Sequence, residues 1–192
     1  MPIFAPQISG ANTTLKYERE FILPLTGATL GPKLFSFDLG EEFLAFSQFP
    51  EAANGSVRLE LLLDKHPAFI ALQFDFTGWL QLICDRCADE YKQFVEGSFR
   101  YILKYGDHME EESDEVMLIP ADLHEFDVFQ LIYEFMMLLV PLRKVHPDDE
   151  RGNSTCNPEA IALLEQMKPA ADTDPRWSTL QSLLKSSGEQ QS

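Results

Sequence analysis

The chain has 192 residues, of which 45% are hydrophobic and 11% aromatic. These values are those of a globular protein of one or two domains, and they exclude an intrinsically disordered chain and a large multidomain enzyme. Its 31 acidic and 15 basic side chains give a formal charge of −16. Such a field excludes a protein that coats nucleic acid or anionic membranes, and we expect basic partners instead.

Residues 1–14 contain two prolines besides Asn12-Thr13-Thr14, and they predict a flexible N-terminal lead-in. They show no basic residues followed by an apolar stretch, so we expect no export signal. The longest apolar run, Phe135–Leu142, is too short to span a bilayer. We therefore expect a cytoplasmic protein in which the three cysteines are free thiols or metal ligands.

Residues 15–106 show the apolar period of two that is typical of half-buried strands. Short spacing and tight turns predict an antiparallel, partly barrel-like β-sheet. Thr77-Gly78 predicts a bend, and Glu41–Phe49 fits a short helix. The alternating segments are Leu15–Leu25, Phe35–Leu39, Val57–Leu63, Ile70–Phe76, Leu80–Cys84 and Phe99–Tyr105.

Residues 107–192 begin with an acidic segment and continue with helical patterns. Val116–Ile119 fits one more strand, and Asp127 can cap a helix over residues 128–140. Only Gln130 and Glu134 interrupt the apolar surface of that helix, which predicts burial on nearly all sides.

Two further helices are predicted after a polar loop at residues 142–156. Asn157-Pro158 and Asp174-Pro175 each place a capping residue before a proline at the first helical position, which predicts short helices over Glu159–Met167 and Arg176–Lys185. The expected fold is α+β, with a buried helix and two short C-terminal helices in residues 107–192 packed on the sheet of residues 15–106 as one domain.

Cys84-Asp85-Arg86-Cys87 is the most specific local motif. Two thiols at this spacing can bind one zinc ion from a tight turn, and His146 and Cys156 can complete a tetrahedral set. The alternatives are reduced structural thiols or a catalytic dithiol. The dithiol is disfavoured because the flanking patterns predict two strands, whereas thioredoxin-like sites place a helix after the first cysteine.

Charged segments suggest two candidate binding surfaces. Asp107–Glu125 holds eight acidic residues without Lys or Arg, and it is either a solvated loop or a docking surface for a basic partner. The docking candidates are Glu110, Glu111, Glu112, Asp114 and Glu115. Folding can also gather a small basic patch that contacts a partner or ribosomal RNA, and its candidates are Arg86, Arg143, Lys144, Arg176 and Trp177. Trp177, on a predicted amphipathic helix, is most simply an anchor packed on the sheet.

Three motifs in order resemble those of the YceD-like family, bacterial and plastid factors named for accumulation of 23S ribosomal RNA. Residues 84–91, CDRCADEY, resemble the family signature C-x-R-C-L-E-x-F. Leu139-Val140-Pro141-Leu142 is similar to its L-x-L-P, and Asp174–Leu180 to its D-P-R-x-x-x-L ending. Some members carry further C-terminal cysteines that look like zinc ligands, whereas this chain has only Cys156, with His146 as the nearby substitute.

The resemblance implies a non-enzymatic factor in large ribosomal subunit biogenesis that binds a precursor particle or a basic ribosomal protein. No metalloprotease pattern, catalytic triad or glycine-rich phosphate loop is present in the sequence, which favours the same interpretation. The alternatives are a zinc- or thiol-dependent enzyme centred on Cys84 and Cys87, or a generic protein-interaction module.

Overall fold

The computed structural model of the protein describes residues 20–25 and 30–167. These residues confirm the predicted α+β class. They fall into two compact units that divide between Thr155 and Cys156. Of the predicted segments, the lead-in at residues 1–14 and the helix over Arg176–Lys185 lie outside the described residues. The predicted domain boundaries at residues 15, 106 and 107 remain predictions.

The first unit contains all the strands that the described residues form, together with two helices. In chain order, its elements are β1 (Ile22–Pro24), β2 (Gly31–Leu39), α1 (Glu41–Phe46), β3 (Gly55–Lys65), β4 (Phe69–Ile83), β5 (Glu90–Gly106), β6 (Glu110–Ser113), β7 (Val116–Pro120), β8 (Glu125–Asp127) and α2 (Phe129–Leu139). The second unit contains α3 (Pro158–Met167). Asn157 Oδ1 accepts a hydrogen bond from the Glu159 N–H at 3.0 Å, which confirms the predicted cap of α3.

Six strands form one sheet in the order β2-β3-β4-β5-β7-β6. The predicted alternation is confirmed, because Val57, Leu59 and Leu61 of β3 are buried while the residues between them are exposed. On β4, Ile70, Leu72, Phe74 and Phe76 are buried on the same face. That face carries the core of the unit, and β1 and β8 pair separately as a small second sheet.

The sheet is not antiparallel throughout, because β5 and β7 pair in parallel, with Ile102 opposite Val116. The hairpin of β6 and β7 brings β7 back alongside β5 in that direction. Among the described residues the sheet keeps two edge strands, β2 and β6, and does not close into a barrel. The acidic residues 110–113 therefore form an edge strand, where the sequence suggested a loop.

The bend predicted at Thr77-Gly78 is wrong, since β4 runs from Phe69 to Ile83 without interruption. Gly78 has a different role at this position. A Cβ atom there would lie 2.2 Å from the Ser56 carbonyl oxygen and 2.6 Å from the Val57 Cα. The glycine therefore permits a close approach of the β3 and β4 backbones.

Helix α2 is confirmed, and Asp127 Oδ1 accepts a hydrogen bond from the Phe129 N–H at 2.8 Å. Its predicted burial on nearly all sides is wrong. The helix packs one face on the sheet, where Phe135 stacks on Phe99 with ring centroids 4.6 Å apart. On the opposite side Leu138 is 69% exposed, because only one face of the helix lies against the sheet. Within the described residues, no helix has the length and apolarity needed to cross a membrane.

Candidate metal centre

Cys84 and Cys87 lie in the tight turn that joins β4 to β5. The Cys84 N–H donates to the Asp89 carbonyl oxygen at 2.9 Å, and the Ala88 N–H donates to the Cys84 carbonyl oxygen at 2.9 Å. Ala88 adopts a left-handed backbone conformation with φ of 60°. This conformation turns the chain back into β5 directly after Cys87 and leaves both thiols on the inner side of the turn, where they are buried.

The surroundings of the Cys84 sulfur stabilise its negatively charged thiolate form. The Arg86 N–H lies 3.4 Å from this sulfur. Burial raises the pKa of the Cys84 thiol, but hydrogen bonds from the backbone of Cys87, Arg86 and His146 and from the His146 side chain outweigh it and lower the pKa from 9.0 to about 6. Stabilisation of the thiolate is what a metal ligand requires.

A small hairpin closes the loop that carries the other two candidate ligands. Thr155 Oγ1 donates to the Pro147 carbonyl oxygen at 2.6 Å. Asp148 and Ser154 form a β-bridge, and the Asp149 N–H donates to the Asn153 carbonyl oxygen at 2.8 Å. Since Pro147 follows His146 and Thr155 precedes Cys156, the closure brings the two ends of this ten-residue spacing together.

The loop is attached to the cysteine turn through Asp85 and Lys144. The Lys144 N–H donates to Asp85 Oδ2 at 2.7 Å, and the Asp85 N–H donates to the Lys144 carbonyl oxygen at 2.6 Å. His146, two residues further on, lies with its Nδ1 at 3.4 Å from the Cys87 sulfur. The ring of Tyr91 on β5 packs against the His146 ring, with centroids 4.9 Å apart.

Cys84, Cys87, His146 and Cys156 form a cluster that could hold one metal ion. Their four ligand atoms lie within 4.8 Å of one another, three of the residues are buried, and His146 is half-buried. Ligand atoms around a tetrahedral zinc ion are roughly 3.5–3.8 Å apart, given Zn–S and Zn–N distances of about 2.3 and 2.1 Å. The donor set and the Cys87–His146 distance therefore fit zinc. Four protein ligands are the set of a structural site, which has no open coordination position.

The structure describes three residues of the predicted basic patch, and they lie at or next to the Asp85–Lys144 contact: Arg86, Arg143 and Lys144. Arg86 Nη1 lies 3.4 Å from Ser154 Oγ, and Arg143 is exposed. Lys144 Nζ is paired with Glu51 at 2.7 Å, and this hydrogen bond raises the pKa of the Lys144 amine. Lys144 therefore stays protonated and is paired with a carboxylate within the protein. Arg176 and Trp177 lie outside the described residues.

The acidic candidates Glu110, Glu111, Glu112, Asp114 and Glu115 are all exposed. Two of them have nearby basic partners: Lys104 Nζ lies 2.7 Å from Glu112, and His108 Nε2 lies 2.8 Å from Glu110. Edge strand β6 thus presents a mainly acidic rim to solvent.

Sequence reasoning missed the residues that assemble the centre. The anchoring role of Asp85 had a weak signal, because a polar residue inside a cysteine turn can accept backbone N–H groups. Glu51 lies 93 residues from its partner Lys144, and no local pattern connects them. The thioredoxin-like arrangement also disagrees with the structure, since the chain after Cys87 enters strand β5 and not a helix.

A family model described as "Large ribosomal RNA subunit accumulation protein YceD" matches residues 72–184, more than half of the chain. The match confirms the resemblance that the sequence motifs indicated, and it includes the cysteine turn, the loop of His146 and Cys156, and helix α2. No curated protein and no solved structure matches the chain.

Proposed function

Because the chain belongs to the YceD family of large ribosomal RNA subunit accumulation proteins, we propose that it is a non-enzymatic factor in biogenesis of the large ribosomal subunit. It acts in the cytoplasm by binding a basic ribosomal protein or a pre-ribosomal particle, and its loss reduces 23S ribosomal RNA. The family name supports the link to the large subunit, whereas the mode of action is inferred from the surface and the cysteine cluster.

The observation that carries this proposal is the exposed acidic strand β6 with its flanking residues, in a chain of charge −16. Nascent ribosomal proteins are rich in Lys and Arg, and complementary charge accelerates their capture and disfavours wrong partners. An acidic binding surface can shield such a protein from non-specific RNA contacts until it is placed.

Within this proposal, Cys84, Cys87, His146 and Cys156 bind one structural zinc ion. The ion fixes the loop of residues 144–156 against the cysteine turn, and so holds Arg86 beside the Lys144 segment. Arg86 and Arg143 supply a small contact surface for the particle, and Arg176 and Trp177 stay candidates from the sequence alone. Any RNA contact is confined to this patch, because the overall charge opposes a wider one.

Depletion of the protein tests the proposal directly. We expect fewer mature large subunits, accumulation of precursor particles and a lower ratio of 23S to 16S ribosomal RNA. Quantitative proteomics across a sucrose gradient should find the protein with large-subunit precursors or basic ribosomal proteins. Large-subunit particles and 23S ribosomal RNA that stay unchanged after depletion would contradict the proposal. Binding only to non-ribosomal partners would favour a generic interaction module.

One observation favours a second candidate, a zinc- or thiol-dependent enzyme. The Cys84 thiol has a pKa of about 6, so it is largely a thiolate at neutral pH. Measuring zinc content and folding of Cys84→Ser separates the candidates. Loss of zinc together with unfolding supports a structural site, whereas loss of an activity with an intact fold supports catalysis.

A further inference from the structure

A groove of about 370 Å³ lies at the end of the sheet away from the cysteine turn. It lies between strands β5, β6, β7 and β8 and the first half of helix α2. The groove shares no residue with the cysteine cluster, and only Glu111 of its lining residues belongs to the acidic docking candidates derived from the sequence.

Four carboxylates surround this groove, and none of its lining residues is Lys or Arg. The carboxylates belong to Glu111, Glu125, Asp127 and Glu134. Two of them are fixed in position: Asp127 Oδ1 accepts from the Phe129 N–H at 2.8 Å, and Glu134 Oε1 accepts from Gln130 Nε2 at 2.7 Å. A carboxylate has about four acceptor sites, so each retains oxygens that can accept from a ligand.

The floor of the groove is apolar and includes one buried tyrosine. Met109, which is 54% exposed, Met117 and Leu131 supply flexible hydrophobic surface. Tyr101 is only 3% exposed, and among the described residues its hydroxyl has no hydrogen-bond partner. Burial raises the pKa of Tyr101, and the negative charges of Glu111 and Glu134 raise it further.

We propose that this groove binds a lysine- or arginine-bearing segment of a basic protein, with the aliphatic part of one basic side chain on Met109 and Met117 and its charged end among the four carboxylates. Long basic side chains combine an apolar stem with a charged head, which matches this apolar floor and acidic rim. The choice of partner rests on the proposed function, but the groove chemistry does not. Nucleic acid is disfavoured because its phosphates would face the four carboxylates of the groove.

Binding of a fluorescent oligolysine peptide to the full chain tests the inference. The groove variant carries Glu111→Gln, Glu125→Gln and Glu134→Gln. The matched control carries Glu41→Gln, Glu60→Gln and Glu96→Gln, which remove the same charge from exposed positions outside the groove. We expect the groove variant to bind at least about tenfold more weakly, and the control to change affinity by less than about threefold.

Methyl spectra of protein labelled at methionine provide a second measurement that needs no variant. Oligolysine should shift the Met109 and Met117 signals, and oligoglutamate should not. Equal losses in the two triple variants, or methionine signals that respond to Ca²⁺ but not to oligolysine, would overturn the inference. A groove variant that fails to bind oligolysine and still restores large-subunit assembly in depleted cells would support the groove as a binding site. The same result would contradict its link to the proposed function.

Discussion

Asp85 and Lys144 hold each other through two backbone N–H groups, one donated in each direction, at 2.7 and 2.6 Å. The pair joins the cysteine turn to the segment that leads to His146. The arrangement of the Cys84, Cys87, His146 and Cys156 cluster therefore depends on Asp85, which is not one of its candidate ligands.

Asp85→Ala removes the carboxylate that accepts from the Lys144 N–H. We expect the free energy of unfolding to fall by about 1 kcal/mol and zinc affinity to fall about fivefold, which is the same free energy expressed as a binding constant. Chemical denaturation and competition with a zinc chelator measure the two effects. Asp89→Ala is the control, because Asp89 contributes its backbone carbonyl to the same turn and should change neither quantity.

The purified protein should contain one zinc ion per chain. His146→Gln and Cys156→Ser should each weaken zinc binding by more than about 100-fold, because a ligand is lost outright and outer-shell changes alone cost 10- to 100-fold. Native mass spectrometry measures the stoichiometry. His108→Gln, at an exposed histidine outside the cluster, should keep full occupancy. A wild-type protein that binds no zinc when zinc is supplied would contradict the prediction.

The metal-free protein should become more stable as the pH rises from about 6 to 9. Hydrogen bonds to its sulfur hold the pKa of Cys84 at about 6 in the folded state, against 9.0 for the ordinary thiol. Between about pH 6 and 9 the Cys84 thiol keeps its proton in the unfolded chain but loses it in the folded chain. The free energy of unfolding therefore rises with pH. This contribution is complete above pH 9 and is lost below about 6. Urea unfolding in the presence of chelator measures the slope, which should be smaller in Cys84→Ser.

Gly78→Ala should destabilise the sheet by about 2 kcal/mol or more, since the new methyl group would overlap the Ser56 and Val57 backbones, which cannot move independently of β3. Gly40→Ala is the control, because a Cβ atom there meets only the Gly55 carbonyl oxygen at 4.0 Å. Thermal unfolding compares them. Similar melting temperatures for the two variants would contradict the close approach of β3 and β4 at Gly78.

Local patterns predicted the parts of the fold that local forces determine. Alternation identified β3 and β4 because one face of each is buried. Asp127 and Asn157 identified helix starts because the side chain of each accepts from the N–H group two residues further on. The cysteine spacing likewise indicated where the cluster of Cys84, Cys87, His146 and Cys156 forms, and the hairpin between Pro147 and Thr155 brings its last two residues together.

The parts that the sequence did not predict depend on contacts between distant segments. The parallel pairing of β5 with β7 follows from the β6–β7 hairpin and not from either strand pattern. The composition of α2 shows that the helix is apolar, but it does not show which sides of the helix other elements cover. Leu138, for example, is exposed. The groove joins Tyr101, Glu111 and Glu134, which no short motif connects.

The separation of 59 residues between Cys87 and His146 has a consequence for the timing of folding. At synthesis rates of about 5–20 residues per second, the cysteine turn is made on the order of 3–12 s before its histidine partner. During that interval the two thiols can fill only two of the four coordination positions of a metal ion. The other two positions stay open to other cellular thiols. The proposed centre is therefore complete only after His146 and Cys156 have been synthesised. A nascent chain stalled before residue 146 should exchange zinc rapidly.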